Sequence, residues 1–163
     1  MRRAIYPGTF DPITFGHLDI LFRAIKMFDE IIITIAINPS KKPLFSLEER
    51  KQLIRKVLTD QDALQNVTVE AFEGLLVKYA VEKKACAIIR GLRAVSDFEY
   101  ELQMALMNRR LEDSISTVFM MPHEKYTYLN SSIVKEVARL GGDISNFVPP
   151  PVAEALLTKF STK

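Results

Sequence analysis

Apolar residues follow two patterns that alternate along the chain. Short, nearly continuous apolar runs predict strands at 3–6, 30–37, 67–72, 85–89 and 116–121. Between and after these runs, helical spacing and helix-start signals predict helices at about 16–28, 46–58, 75–83, 96–111, 131–140 and 152–160. The run at 31–37 is rich in β-branched residues and has almost no polar interruption. Such a strand is typical of a parallel sheet that is covered on both faces.

The alternation of strands and helices predicts an α/β fold, with a single Rossmann-like parallel sheet and helices on both of its faces. The chain has 163 residues, which suits one domain, and no linker or internal repeat divides it. We therefore expect residues 1–163 to form one domain that ends in a C-terminal helix. In sheets of this kind, ligands bind beyond the carboxyl ends of the strands, near the point where the strand order reverses.

Composition and charge restrict the possible partners. Hydrophobic residues make up 48% of the chain and charged residues 26%, as in a soluble globular protein. The net charge of +2 is too small to favour nucleic acid as the main partner. No apolar run reaches membrane-spanning length, so we expect no membrane association and a cytoplasmic location. The one cysteine, Cys86, falls in an apolar run and is expected to be a small core residue.

Polar residues that could bind an anion follow four of the five predicted strands. Thr9 and the sequence Thr14-Phe15-Gly16-His17 come after the first strand, and His17 lies at the start of a helix. Lys41 follows the second strand, Arg90 and Arg93 follow the fourth, and residues 126–132 follow the fifth. Helix N-termini and guanidinium groups both bind phosphate well. Because the carboxyl ends of parallel strands share one edge of the sheet, the sequence predicts a phosphate site there.

Some of these residues keep a second interpretation. We interpret Lys42 as a solvated loop lysine and His123 as a surface residue. Ser131 and Ser132 could cap a helix as well as contact phosphate, since the two roles are compatible. An apolar face on the fourth predicted helix indicates core packing or a subunit contact, and it comprises Phe98, Leu102, Ala105 and Leu106.

Several catalytic and cofactor motifs are absent from the sequence. It has no GxGxxG after a strand, no GxxxxGK[ST], no Cys/His cluster with zinc spacing and no GxSxG elbow. What remains is a set of cations, hydroxyls and helix starts without a protein nucleophile. This set favours phosphoryl or nucleotidyl transfer by positioning and charge stabilisation.

Four segments carry a more specific resemblance. They are residues 6–12 with Gly16-His17, Ser40-Lys41-Lys42-Pro43, Ile89-Arg90-Gly91-Leu92-Arg93 with Asp97-Phe98-Glu99-Tyr100-Glu101, and residues 131–136. In this order they resemble the bacterial phosphopantetheine adenylyltransferase family, of the nucleotidyltransferase superfamily with the T/HxGH motif. The resemblance covers nearly the whole chain. It departs from the family pattern at Phe15, where asparagine is common, and at Asn130, where a third serine is usual; we expect Asn130 to keep a tuned ATP contact.

The resemblance implies a nucleotidyltransferase fold and a reaction in coenzyme A biosynthesis. ATP and 4′-phosphopantetheine would give dephospho-coenzyme A and pyrophosphate. The implied catalytic residues are His17, Lys41 and Arg90. The implied phosphopantetheine site comprises Thr9, Lys41, Leu76 and Arg90. The implied ATP site comprises Thr9, Phe10, His17, Gly91, Leu92, Arg93, Glu101, Tyr126, Thr127, Tyr128, Leu129, Asn130, Ser131 and Ser132.

The resemblance also implies a metal ion and an assembly. Mg²⁺ would accompany ATP, held mainly by phosphates and water, so that no metal ligand is expected from the protein. Family members form homohexamers, and we expect the same here. Two alternatives stay open: a different nucleotidyltransferase that uses CTP or ATP with another phosphorylated acceptor, and a nucleotide-binding regulator without turnover. The intact His17, Lys41, Arg90 and Arg93 argue against the regulator.

Overall fold

The computed structural model describes residues 1–37, 42–61 and 64–161, without the side chains of Val95 and Ser96. In this part of the chain the strands are β1 (Arg3–Gly8), β2 (Glu30–Ala36), β3 (Val67–Phe72), β4 (Ala87–Gly91) and β5 (Ser116–Met120). The α-helices are α1 (Phe15–Ala24), α2 (Leu47–Thr59), α3 (Leu76–Glu82), α4 (Val95–Leu111), α5 (Ser131–Arg139) and α6 (Pro150–Ser161). A short 3-10 helix, Glu124–Tyr126, precedes α5.

The five strands form one parallel sheet in the order β3-β2-β1-β4-β5. β1 lies at its centre, where Ile5 pairs with Ile32 of β2 on one side and with Ile88 of β4 on the other. The strand order reverses at β1, because the chain builds outwards to β3 and then returns to place β4 on the opposite side. The predicted α/β fold with a parallel sheet is confirmed.

Both faces of the sheet are covered by helices. Alternate residues of a strand point to opposite faces, so Ile5 packs against Val77 and Ala80 of α3 on one face. Ala4 and Tyr6 belong to the larger apolar cluster on the other face, to which α1, α2, α5 and α6 contribute side chains. No helix in the described ranges is both long and apolar enough to cross a membrane. That residues 1–163 form a single domain stays a prediction.

Two strands continue further at their carboxyl ends than the sequence predicted. β1 ends at Gly8 rather than at residue 6, because Pro7 and Gly8 remain paired with Thr34 and Ile35. β4 includes Arg90 and Gly91, which pair with β5. Arg90 is therefore held on the sheet itself, and its side chain starts from a rigid strand.

The prediction that Cys86 is a core residue is wrong. Cys86 precedes β4 and is exposed, and its thiol donates a hydrogen bond to the Arg3 carbonyl oxygen at 3.3 Å. The strand begins only at Ala87, and the side chains of Ala85 and Ala87 on either side of Cys86 are both buried. In the sequence Cys86 and Ala87 look alike, because the identity of a small residue at the end of a strand does not indicate whether its side chain faces the core or solvent.

Two helix starts also differ from their predicted caps. α4 begins at Val95 with Ala94 as its N-cap residue, so Ser96 lies inside the first turn instead of capping it. α5 is capped by Asn130, whose side-chain oxygen accepts a hydrogen bond from the Ile133 N–H at 2.9 Å. Ser131 is thus the first helical residue, and its hydroxyl is free of the capping role.

Candidate active site

A large cleft in the described part of the chain lies at the carboxyl ends of β1 and β4, where the strand order reverses. Its volume is about 1180 Å³. Its walls come from the loop after β1, the start of α1, the ends of β3 and β4, α4, and the start of α5. Segments that are distant in sequence meet here because the carboxyl ends of parallel strands share one edge.

Most of the predicted site residues line this cleft. They are Thr9, Phe10, His17, Leu76, Arg90, Gly91, Arg93, Glu101, Tyr126, Leu129, Asn130, Ser131 and Ser132. Lys41 lies outside the described residues, so its place in the site stays a prediction. Lys42, which was interpreted as a solvated lysine, is exposed but lines the cleft.

Three predicted ATP contacts, all of them in the described ranges, do not line the cleft. The Leu92 N–H donates a hydrogen bond to the Met120 carbonyl oxygen at 3.0 Å, which prolongs the pairing of β4 with β5. The Thr127 hydroxyl donates to the Glu124 carbonyl oxygen at 2.8 Å and closes the 3-10 helix. The exposed Tyr128 ring packs edge-on against another aromatic ring. These local partners account for their orientation, and their ATP roles stay predictions.

His17 is oriented by a reciprocal capping arrangement with Thr14. The Thr14 N–H donates a hydrogen bond to His17 Nδ1 at 3.0 Å, and the Thr14 hydroxyl oxygen accepts one from the His17 N–H at 3.4 Å. Because Nδ1 accepts a hydrogen bond, the proton of the neutral ring lies on Nε2. The T-x-x-H spacing therefore fixes the tautomer, and it leaves Nε2–H as the donor available to a ligand.

The imidazole of His17 stays neutral near pH 7. Burial lowers its pKa to about 4, with a further contribution from the nearby charge of Arg93. One side of the ring is packed edge-on against Phe10, with ring centroids 5.0 Å apart. A neutral, fixed donor suits charge stabilisation at a phosphoryl oxygen better than it suits proton transfer.

Arg90 is held by two groups on different elements. Its Nε donates to Glu101 at 2.8 Å and its Nη2 donates to the same carboxylate at 2.5 Å, in a bidentate pair. Nη1 donates to the Pro7 carbonyl oxygen at 3.3 Å. Although burial disfavours the charged guanidinium, Glu101 raises the pKa of Arg90 above its ordinary value. The predicted ATP ligand Glu101 is therefore also the group that orients the predicted phosphopantetheine ligand Arg90.

Arg93 is held less tightly than Arg90. Its Nε donates to Asp97 at 3.2 Å, and both side chains are partly exposed to solvent. An exposed ion pair of this kind contributes little to stability. The free-energy cost of separating Arg93 from Asp97 to bind an anionic ligand is therefore small. The cost of separating Arg90 from Glu101 is larger, because that pair is bidentate and more buried.

The Thr9–Phe10 turn is supported from beneath by a residue that the sequence analysis missed. Phe10 has a φ of 46°, which is rare for a residue with a side chain. Arg50 of α2, which is 5% exposed, donates from Nη1 to the Thr9 carbonyl oxygen at 2.8 Å. The E-E-R start of an amphipathic helix gives no hint of this, because surface and buried arginines look alike in sequence.

Comparison with known proteins places this geometry in a family. The family model described as Cytidylyltransferase-like matches residues 5–137. Over 160 residues the chain is 58% identical to phosphopantetheine adenylyltransferase of Alkaliphilus oremlandii, covering 98% of this chain and 100% of the relative. It is 53% identical to the enzyme of the same name from Opitutus terrae, over the full length of both chains. The chain belongs to the phosphopantetheine adenylyltransferase family.

Solved structures agree with this family at the level of the fold. A putative nicotinate-nucleotide adenylyltransferase from Vibrio parahaemolyticus superposes with a TM-score of 0.73, over 97% of this chain and 93% of the other. The two sequences are only 20% identical. The similarity therefore shows that this phosphopantetheine adenylyltransferase shares the overall fold of that protein.

Proposed function

We propose that the cleft at the carboxyl ends of β1 and β4 transfers the adenylyl group of ATP to 4′-phosphopantetheine. The products are dephospho-coenzyme A and pyrophosphate, in coenzyme A biosynthesis. One observation carries the proposal: His17 presents a neutral Nε2–H donor in a cleft that is also lined by Arg90 and Arg93. Nucleotidyl transfer needs charge stabilisation and alignment more than a protein nucleophile.

The acceptor half of the site is assigned to Thr9, Lys41, Leu76 and Arg90. Thr9 follows directly after β1 and Arg90 is the penultimate residue of β4, so the two neighbouring strands bring them into the same cleft. Leu76 opens α3 and lines the cleft beside Phe72, where an apolar wall suits the pantetheine arm. The phosphate of phosphopantetheine is ionised at neutral pH, and it can attack the α-phosphorus of ATP in line without a strong general base.

The ATP half is assigned to His17, Arg93 and the start of α5. His17 Nε2–H stabilises the charge that redistributes on the α-phosphate in the transition state. The N-terminus of α5 supplies backbone N–H groups and the favourable end of a helix dipole for the outer phosphates. Asn130 caps this helix, so the asparagine at a usual serine position preserves the helix start.

Mg²⁺ is proposed to enter with ATP. The carboxylates among the described lining residues are Asp11, Asp97 and Glu101, and each forms an ion pair with a cation. Such a donor set does not favour a protein cage, whereas Mg²⁺ readily keeps water and phosphate ligands. The ion would neutralise charge on the outer phosphates, while the residues of the cleft bind and align the two substrates.

We further propose a homohexamer and a cytoplasmic location. Support for an assembly comes from α4, which exposes large apolar side chains along most of its length. They are Phe98, Leu102, Met104, Leu106, Met107 and Leu111. Exposed apolar surface of this extent indicates a protein contact.

Measurement of pyrophosphate release tests the proposed function. The purified chain is incubated with Mg²⁺, ATP and 4′-phosphopantetheine. In one parallel reaction CTP replaces ATP, and in another nicotinate mononucleotide replaces 4′-phosphopantetheine. We expect turnover only with ATP and 4′-phosphopantetheine. Turnover that requires CTP or another acceptor would indicate a different nucleotidyltransferase, and ATP binding without any turnover would indicate a regulator.

A further inference from the structure

Asp11 joins two walls of the cleft through its buried carboxylate. The residue is 3% exposed. Its Oδ2 accepts a hydrogen bond from the Leu44 N–H and its Oδ1 accepts one from the Phe45 N–H, both at 2.9 Å. These two amides follow Lys42 and Pro43, which line the cleft, in the segment that leads into α2.

The second of these walls, α5, reaches the same carboxylate. Lys135 of α5 places its Nζ 2.6 Å from Asp11 Oδ2, and it is the one side-chain cation in the described chain within ion-pair distance of Asp11. Ser131 lies one helical turn earlier, and its hydroxyl donates to the Pro12 carbonyl oxygen at 2.7 Å. Residues four apart share one helix face, so α5 is attached to consecutive loop residues at two points.

We propose that Asp11 and Lys135 are positioning residues that set the distance between the acceptor half and the ATP half of the cleft. The proposal rests on the proposed function. α5 carries the ATP half, and the Leu44–Phe45 segment leads into α2, whose Arg50 holds the Thr9 carbonyl oxygen in the acceptor half. The carboxylate of Asp11 contacts both the segment and α5. Neither residue needs to contact the reacting atoms for this role.

The physical basis is alignment of two separately bound substrates. In-line transfer requires the attacking oxygen close to the α-phosphorus, and a misplacement of about 1 Å can cost roughly 100-fold in rate. Contacts to each substrate alone do not depend on the Asp11–Lys135 pair, because the pair links the walls and leaves the other lining residues in place. Loss of the pair should therefore lower kcat and leave both KM values nearly unchanged.

The test compares Lys135→Met with a matched control. Lys159→Met removes a lysine that lies near the same segment, with its Nζ 5.7 Å from the Phe45 ring centre, but that pairs with Glu49 at 2.8 Å outside the cleft. We expect Lys135→Met to lower kcat by about tenfold or more, with both KM values and the melting temperature close to wild type. Lys135→Arg, which keeps the charge, should recover part of the rate, and Lys159→Met should leave kcat unchanged.

A second readout does not depend on turnover. In Lys135→Met, hydrogen exchange of the Leu44 and Phe45 amides should accelerate, because their acceptor loses the cation that fixes it, while core amides of β1 should not change. Unchanged exchange at these amides, or unchanged kcat in an active enzyme, would overturn the positioning role. A wild-type chain that releases no pyrophosphate would overturn the proposed function instead, and the exchange measurement would still decide whether Lys135 holds Asp11.

Discussion

His17→Ala removes a side chain whose protonation state and tautomer are both fixed by its surroundings. The Thr14 N–H occupies Nδ1, so Nε2–H is the donor that is lost. Burial keeps the ring neutral. The alanine variant also leaves the Thr14 N–H without its partner, which predicts a modest loss of stability of about 1 kcal/mol in addition to the loss of rate.

The rate effect can be scaled from the role of the lost donor. Removal of one preorganised donor to a developing charge lowers kcat by about 10²–10³, or roughly 3–4 kcal/mol of transition-state stabilisation. An interaction that is strongest in the transition state changes ground-state ATP affinity much less. His17→Asn should recover part of the rate, since its amide can donate a hydrogen bond but cannot act as a base near neutral pH.

Steady-state kinetics combined with direct ATP titration would measure both quantities. His123→Ala is the matched control, because His123 is exposed and does not line the cleft; its kcat should equal that of the wild type. The reasoning is refuted if His17→Ala keeps its kcat and loses ATP binding, since His17 would then be a ground-state ligand. Equal rates for His17→Ala and His17→Asn would also contradict a role in donation.

Other predictions follow from the same site. With a His17 pKa of about 4, the pH profile of kcat should contain no His17 ionisation between about pH 6 and 8. In the unfolded chain the pKa of His17 is about 6.5, so at pH values below this the unfolded chain binds more protons than the folded chain. The free energy of unfolding from urea titrations should therefore decrease as the pH falls from about 6.5 to 4. Lys41→Ala and Arg90→Ala should weaken phosphopantetheine binding by about tenfold and ATP binding less, and Arg93→Ala should do the reverse; calorimetry that found equal losses for both ligands would mean a wrong assignment. Sedimentation at micromolar concentration should find a hexamer, and a single species near the chain mass of 18.6 kDa would exclude it.

The candidate site was predictable from sequence where the signal is local. Thr14 and His17 are three residues apart, which is the separation of a capping box, so one turn of helix brings them together. Arg90 follows an apolar run directly, and the run itself predicts that the residue ends a strand. The partner of Arg90 was harder to predict from the sequence. Glu101 lies eleven residues away on α4, and the bidentate pair depends on how α4 packs over β4 and β5.

Positions with a generic sequence pattern could not be assigned. Cys86 was predicted to lie in the core because its neighbours are apolar. Whether its side chain faces the core or solvent depends on where β4 begins to pair with β5. The cap of α5 was assigned to serines, although Asn130 has the same capping chemistry and stands one residue earlier. Nearby residues with equal propensity are separated only by the exact backbone path.

The sequence by itself determined the order of strands and helices along the chain, the edge of the sheet at which the cleft lies, and many of the residues that line this cleft. These depend on local periodicity and on the rule that parallel strands share their carboxyl edge. Only the tertiary structure decided the contacts of Arg50 with the Thr9 carbonyl and of Lys135 with Asp11. Those contacts span 41 and 124 residues, and no local pattern encodes them, because they exist only when separate helices pack around the same loop.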